Sequence, residues 1–253
     1  MNKTCALALL LLAIRAWGEP VAGSLDVRWN AGAEDCEKAP PAPQLQVHQY
    51  ESQTYILRQR LCSNFEAPLL YLLIGTDEAL LIDTGAVEAS PQMGLTKTVM
   101  ELLPTKGDAK IPLLVLHTHG HRDHRAADAQ FAALPGAKVV PPEVADLQTA
   151  LSLPKWPEGV AQVALGDRTV DIIAAPGHQP AHLIFYDDRT ALLFTGDFLL
   201  PGRLMVDDLG AYRAGVGSRR LFPRLGPLVV AGPARTVGPA IETCCGADLQ
   251  AQP

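Results

Sequence analysis

Four histidines and one aspartate fall within eight positions, His117-Thr118-His119-Gly120-His121-Arg122-Asp123-His124, and six of the chain's seven histidines lie between residues 117 and 182. Neutral imidazole nitrogens and carboxylate oxygens are the usual donors for zinc and similar divalent metals. The chemistry in prospect is the binding of a divalent metal ion. Four imidazoles in so short a run cannot all be hydrogen-bonded inside an apolar core. The bland alternative is a solvated histidine-rich loop that scavenges metal without fixed geometry.

Further along, Pro176-Gly177-His178 follows the apolar run Thr169–Ala174 and can present an imidazole from a loop. Leu193-Phe194-Thr195-Gly196-Asp197 runs a strand-like stretch into a turn with a carboxylate at its tip, and Leu81-Ile82-Asp83-Thr84-Gly85 does the same earlier. Taken singly, an aspartate after a strand is more often a turn former than a ligand. Three such strand ends together with the histidine run favour one shared site.

The elements that must position these residues read as short strands alternating with helices. Strands are expected at Thr54–Arg60, Leu69–Ile74, Ala79–Ile82, Pro112–His117, Val139–Val140, Thr169–Ala174, Leu183–Tyr186 and Ala191–Phe194. Gly75-Thr76-Asp77-Glu78 should close a hairpin. Helices are expected at Thr96–Leu103, Asp123–Leu134 and Glu143–Leu151, the second carrying Ala126, Ala127, Phe131 and Leu134 at helical spacing before Pro135-Gly136. Strands outnumber helices and alternate with them, which argues an α/β class with mixed sheets.

The run HTHGHRDH, with Asp83-Thr84-Gly85 before it and Pro-Gly-His178 and Thr-Gly-Asp197 after it, resembles the metallo-β-lactamase superfamily across residues 54 to 208. The resemblance implies a four-layer αβ/βα sandwich, two mixed β-sheets flanked by helices, with metals at one sheet edge. It implies a first zinc on His119, His121 and His178, a second on Asp123 and His124, and Asp197 bridging both. It places Asp83 behind the ligands, holding the metal loop. His182 falls where relatives often carry a second histidine near the substrate, and His117 lies outside the core motif. Asp123 would orient a hydroxide and take part in proton transfer. The bridging Asp197 favours ester, thioester or lactone hydrolysis of a small-molecule substrate. A β-lactamase and a degenerate, non-catalytic metal-binding protein are the alternatives. One or two Zn2+ per chain are expected, and Asp and His ligands suit iron or manganese as well. The family's usual late histidine is missing, since no His follows His182. A weak, empty or water-completed second site would account for that. So would a frameshift after about Gly215, where residues 214–240 hold 5 Gly, 4 Pro, 4 Arg and 4 Ala and no Lys.

Composition bounds the rest. The chain has 253 residues, 48% hydrophobic and 19% charged, enough for one large domain or two small ones. Its net charge of −6, with no basic block, argues against a nucleic-acid partner. Residues 1–18 join a short basic leader to the apolar run Cys5–Ile14 and Ala16-Trp17-Gly18, the pattern of a bacterial-type signal peptide. The mature protein is then expected to be periplasmic or secreted, with no membrane segment. Residues 19–50 read as an exposed arm, residues 51–213 as the metal-binding domain, and residues 214–253 as an atypical tail. Export permits a Cys36–Cys62 bridge, with free buried thiols the other possibility. Oligomeric state is not written in the sequence.

Overall fold

The computed structural model describes residues 19–30, 36–38, 41–88, 93–200 and 204–216, together with the backbone of a short strand at 230–231. The expected signal peptide and most of the expected tail lie outside the described residues. Strands β1 (Leu45–Glu51), β2 (Thr54–Gln59), β3 (Leu69–Ile74) and β4 (Ala79–Ile82) form an antiparallel meander. Helix α1 (Leu95–Leu102) and a small hairpin, β5 (Thr105–Lys106) and β6 (Ala109–Lys110), lead to β7 (Leu113–Leu116). Short helices α2 (Arg122–Arg125) and α3 (Asp128–Ala132) precede β8 (Ala137–Val139). β7 and β8 add in parallel to β4, which gives a six-stranded sheet in the order β1-β2-β3-β4-β7-β8.

After helix α4 (Val144–Ala150), strands β9 (Ala161–Ala164), β10 (Thr169–Ala174), β11 (Leu183–Asp187) and β12 (Leu193–Phe194) build a second sheet. Helix α5 (Leu209–Val216) follows, and β13 (Val230–Ala231) adds in parallel to β12, completing the order β13-β12-β11-β10-β9. Both sheets are mixed.

Alternation of side chains along a strand assigns the layers. Tyr71 and Leu73 of β3 join Leu80, Ile82, Ile172, Leu183, Phe185 and Phe194 in a core between the sheets. Leu70 and Leu72 face the other way, onto Val99 of α1 and Phe131 of α3. Ile173, Ile184 and Leu193 cover the outer face of the second sheet beneath Phe198 and Tyr212. The result is the αβ/βα sandwich, because both faces of each sheet's central strands are apolar and need cover.

Three readings of the sequence are corrected. Residues 45–50, expected in an exposed arm, lie in the sheet as part of β1. β1 is an edge strand, half-buried and mostly polar, held by its register on β2 from Leu45↔Gln59 to Glu51↔Thr54, so it carries no apolar alternation to read. The single helix expected over Asp123–Leu134 is two helices. The loop after β4 captures the intervening backbone, with Thr84 N donating to His124 O at 2.8 Å and Ala126 N donating to Gly85 O at 2.8 Å. The last of the expected strands starts two residues late, at Leu193. Cys36 and Cys62 are disulfide-bonded, which decides the alternative left open by sequence.

Candidate metal centre

Four strand ends deliver the site. β4 and β7 are parallel neighbours with Ile82 opposite Leu116, so Asp83 and His117 leave the sheet side by side. Asp83 takes a left-handed conformation, φ +67°, that non-glycine residues rarely adopt. Its carboxylate holds the histidine loop in place. Oδ1 accepts from Thr118 N at 2.7 Å, and Oδ2 accepts from Thr118 Oγ1 at 2.9 Å and from His124 Nδ1 at 2.8 Å. From the second sheet, β10 leads through Gly177 to His178, and β12 leads through Gly196 to Asp197. Gly196, at φ +49°, packs so closely that an added Cβ would lie 2.6 Å from the Thr118 Cβ. Only glycine lets that backbone approach and aim Asp197 at the cluster.

The histidines converge on one point. His119 Nε2 and His121 Nδ1 are 2.9 Å apart, and His178 Nε2 stands 3.2 Å and 3.1 Å from them. A tetrahedral cation with ligand bonds of about 2.0–2.1 Å separates its nitrogens by about 3.3 Å, so this triangle is close to one face of such a site. A second group, His119, His124 and Asp197, also brings its ligand atoms within 4.8 Å of one another. Asp197 spans the two groups: Oδ1 is 3.5 Å from His124 Nε2 and Oδ2 is 3.7 Å from His178 Nε2. Asp123 Oδ2 lies 3.4 Å from His124 Nε2 at the more exposed side of the cluster.

The surrounding hydrogen bonds turn lone pairs inward. His178 Nδ1 donates to Met205 O at 2.8 Å, and His124 Nδ1 donates to Asp83, which aims the Nε2 atom of each ring into the cluster. The Thr118 hydroxyl gives its proton to Asp83, so at 3.2 Å it can only accept from His119 Nδ1, again freeing Nε2. Asp197 Oδ1 is buried with no hydrogen-bond partner among the described residues. Its nearest donor is His124 Nε2, 3.5 Å away, and a cation between them would satisfy both atoms at shorter range.

Electrostatics points the same way. Burial and then the neighbouring imidazoles push the pKa of His119 far below its ordinary value, and burial followed by His178 lowers that of His121. Both rings are thus neutral, as ligation requires. Burial also opposes charge on His124, but Asp83, Asp123 and Asp197 outweigh it and raise its pKa well above 6.5. A proton there answers the same concentration of negative charge that a divalent cation would. For Asp123, hydrogen bonding and charge from His124 overcome burial and hold the carboxyl below its usual range.

The structure therefore gathers His119, His121, Asp123, His124, His178 and Asp197 at one edge, with Asp83 behind them. His182 is buried and stacks on His119, centroids 5.1 Å apart and planes 13° apart. Burial first, then His178, His124 and His121, lower its pKa well below the ordinary value. His117 is engaged elsewhere: its Nε2 meets Asp128 Oδ1 at 2.8 Å, and Thr84 Oγ1 donates to the same oxygen at 2.7 Å. Sequence reasoning missed Thr118 and Asp128, whose roles no local pattern carries. β13 runs parallel to β12, so its C-terminal end faces the side of the sandwich where β12 delivers Asp197.

Residues 65–236 match the model of the metallo-beta-lactamase superfamily. The chain belongs to the metallo-β-lactamase superfamily. It is 30% identical over 131 residues to a hydroxyacylglutathione hydrolase of Anaeromyxobacter dehalogenans, covering 51% of this chain and 45% of that protein. It is 24% identical over 179 residues to an acyl-coenzyme A thioesterase of Homo sapiens, covering 59% of this chain and 64% of that protein. The chain thus spans about half the length of these relatives. A solved metallo-β-lactamase from Pontibacter korlensis superposes with a TM-score of 0.54 at 19% identity, covering 75% of this chain and 90% of that one, which is a likeness of fold. Hydrolases are thus among its relatives in this superfamily, and five of its residues, His119, His121, His124, His178 and Asp197, form groups that could hold a metal ion.

Proposed function

We propose that this chain hydrolyses a small thioester, or a related ester or lactone, with one or two divalent cations, zinc foremost, held by His119, His121, His178, His124, Asp123 and Asp197. The carrying observation is Asp197, a half-buried carboxylate that reaches toward both ligand groups and whose buried Oδ1 has no hydrogen-bond partner among the described residues. Cations bound there would polarise the scissile carbonyl and make a water acidic enough to attack near neutral pH. The chain's residues do the rest. Asp83 and Thr118 fix the rings of His124 and His119, so little reorganisation accompanies reaction. Asp123, held ionised at the accessible side, orients a water by accepting its O–H. The two relatives support a thioester, since their names both denote hydrolysis of an acyl–sulfur bond. The Cys36–Cys62 bond and the apolar leader support an exported protein, because disulfides persist in oxidising compartments.

The test is metal content per chain by elemental analysis, beside a panel of thioester, ester, lactone and β-lactam substrates. Thioester or ester turnover that chelation abolishes and Zn2+ restores, and that His119→Ala lacks, is the expected result. Hydrolysis of nitrocefin alone would make the protein a β-lactamase. A metal-loaded chain that turns over nothing would make it a binding protein, the reading favoured by the missing late histidine.

A further inference from the structure

Seven large apolar side chains are exposed among the described residues, and three of them fall within six positions: Leu204 (36% exposed), Met205 (55%) and Leu209 (53%). The others, Val21, Val47, Phe65 and Val160, are single residues on separate segments. Scattered apolar residues need no explanation, but three exposed within one short segment mark a candidate binding surface. This cluster is tied to the metal centre by its backbone. Met205 O accepts from His178 Nδ1 at 2.8 Å, one imidazole's width from the Nε2 that faces the other ligands. Asp207 N and Asp208 N both donate to Gly177 O, at 2.8 and 2.9 Å, and Asp208 Oδ1 accepts from Ala211 N at the start of α5. Tyr212 of α5 packs on Phe198, ring centroids 4.6 Å apart, and donates its hydroxyl to Phe198 O at 3.0 Å. The main chain is held from both sides while the three side chains remain open.

We propose that Leu204, Met205 and Leu209 seat the apolar acyl chain of the substrate beside His178, which makes this a hydrolase of medium-chain acyl compounds. The proposal rests on the hydrolase reading above and names its substrate class. Charge selects the acyl end over the leaving group. Asp207 and Asp208 are interleaved with the apolar side chains and would repel a leaving group bearing phosphates or carboxylates. An alkyl chain meets no such penalty. Met205, unbranched and flexible, can adjust to chains of different length.

The experiment uses the full metal-loaded chain and N-acetylcysteamine thioesters from acetyl to octanoyl, so that the leaving group stays constant. Each added methylene should raise kcat/KM by about two- to fourfold until the chain outruns the patch. The Met205→Ser/Leu209→Ser double variant should reduce that gain below about 1.5-fold per methylene, at parental metal content. Val47→Ser, on an exposed apolar residue of β1, should leave the gain intact. Calorimetric binding of acetate against octanoate reads the same dependence without turnover. If no thioester is hydrolysed yet octanoate still binds more tightly and loses that advantage in the double variant, the seat stands and the hydrolase reading falls. Turnover that ignores chain length, or a chain-length gain that survives the double variant, overturns the seat.

Discussion

The two ends of the sandwich bury charge in opposite ways. At the end remote from the histidines, the guanidinium of Arg168 is fully buried against Asp187, with Nε and Nη2 each 2.6 Å from a carboxylate oxygen. Its remaining donors reach Gln53 O at 3.0 Å, Ile74 O at 3.4 Å and Thr54 Oγ1 at 2.7 Å, and Thr190 donates to Asp187. The network spans both sheets and closes on itself. At the other end, Asp83, Thr118 and Met205 satisfy the outward-facing atoms of the rings, while the inward-facing nitrogens and Asp197 Oδ1 face one another. A closed network holds a fold together, whereas a set of convergent lone pairs is complete only with a ligand.

Removing the closed network should cost the most. Arg168→Ala strands the Asp187 carboxylate in the core and should lower stability by about 3–5 kcal/mol, read from urea unfolding, with metal content per folded chain unchanged. Arg168→Met combined with Asp187→Leu should recover most of that loss. If the single variant instead lost its metal, the two ends would not be separable.

At the open end, the ligand itself should supply stability. A divalent cation at a hundred times its Kd should stabilise the parent by about 2.7 kcal/mol in thermal unfolding. His119→Ala should abolish that increment, because His119 belongs to both ligand groups. Equal stabilisation of the variant would mean that the cation binds elsewhere.

Asp83→Asn probes the support behind the ligands. Asparagine tolerates the left-handed backbone but presents an amide to one of the donors now on the carboxylate. Apparent metal affinity, measured by competition with a chelator, should fall about 10- to 100-fold with the fold intact.

The smallest effect belongs to Glu51, near the closed end. Burial opposes its charge, but hydrogen bonds from Thr54, Gln53 and Ser52 and the charge of Arg189 lower its pKa below 4.5. The stability it adds is present above the unfolded value and lost as pH falls through the folded one. Glu51→Gln should therefore flatten the acid limb of the stability curve below about pH 4.5, by less than about 1 kcal/mol.

How much of this was legible in the sequence varied with the range of the interaction. Leu69–Ile74, Ala79–Ile82 and Thr169–Ala174 are strands over the expected bounds, because a short apolar run between turn residues is a local signal. The polar edge strand Leu45–Glu51 had no such signal and depends on its pairing with β2. The helix expected after His121 broke because Thr84 and Gly85 took its backbone bonds, a contact across some forty residues.

The sequence by itself determined the apolar central strands and singled out the candidate histidines and aspartates, since both are written in residue type and spacing over a few positions. Tertiary structure alone decided the rest. It set which nitrogen of each ring faces inward, paired Cys36 with Cys62, joined Arg168 to Asp187 and brought the Met205 carbonyl to His178. Each of those depends on groups distant along the chain, and a hydrogen bond or a shared cavity exists only once folding has brought them within a few ångströms.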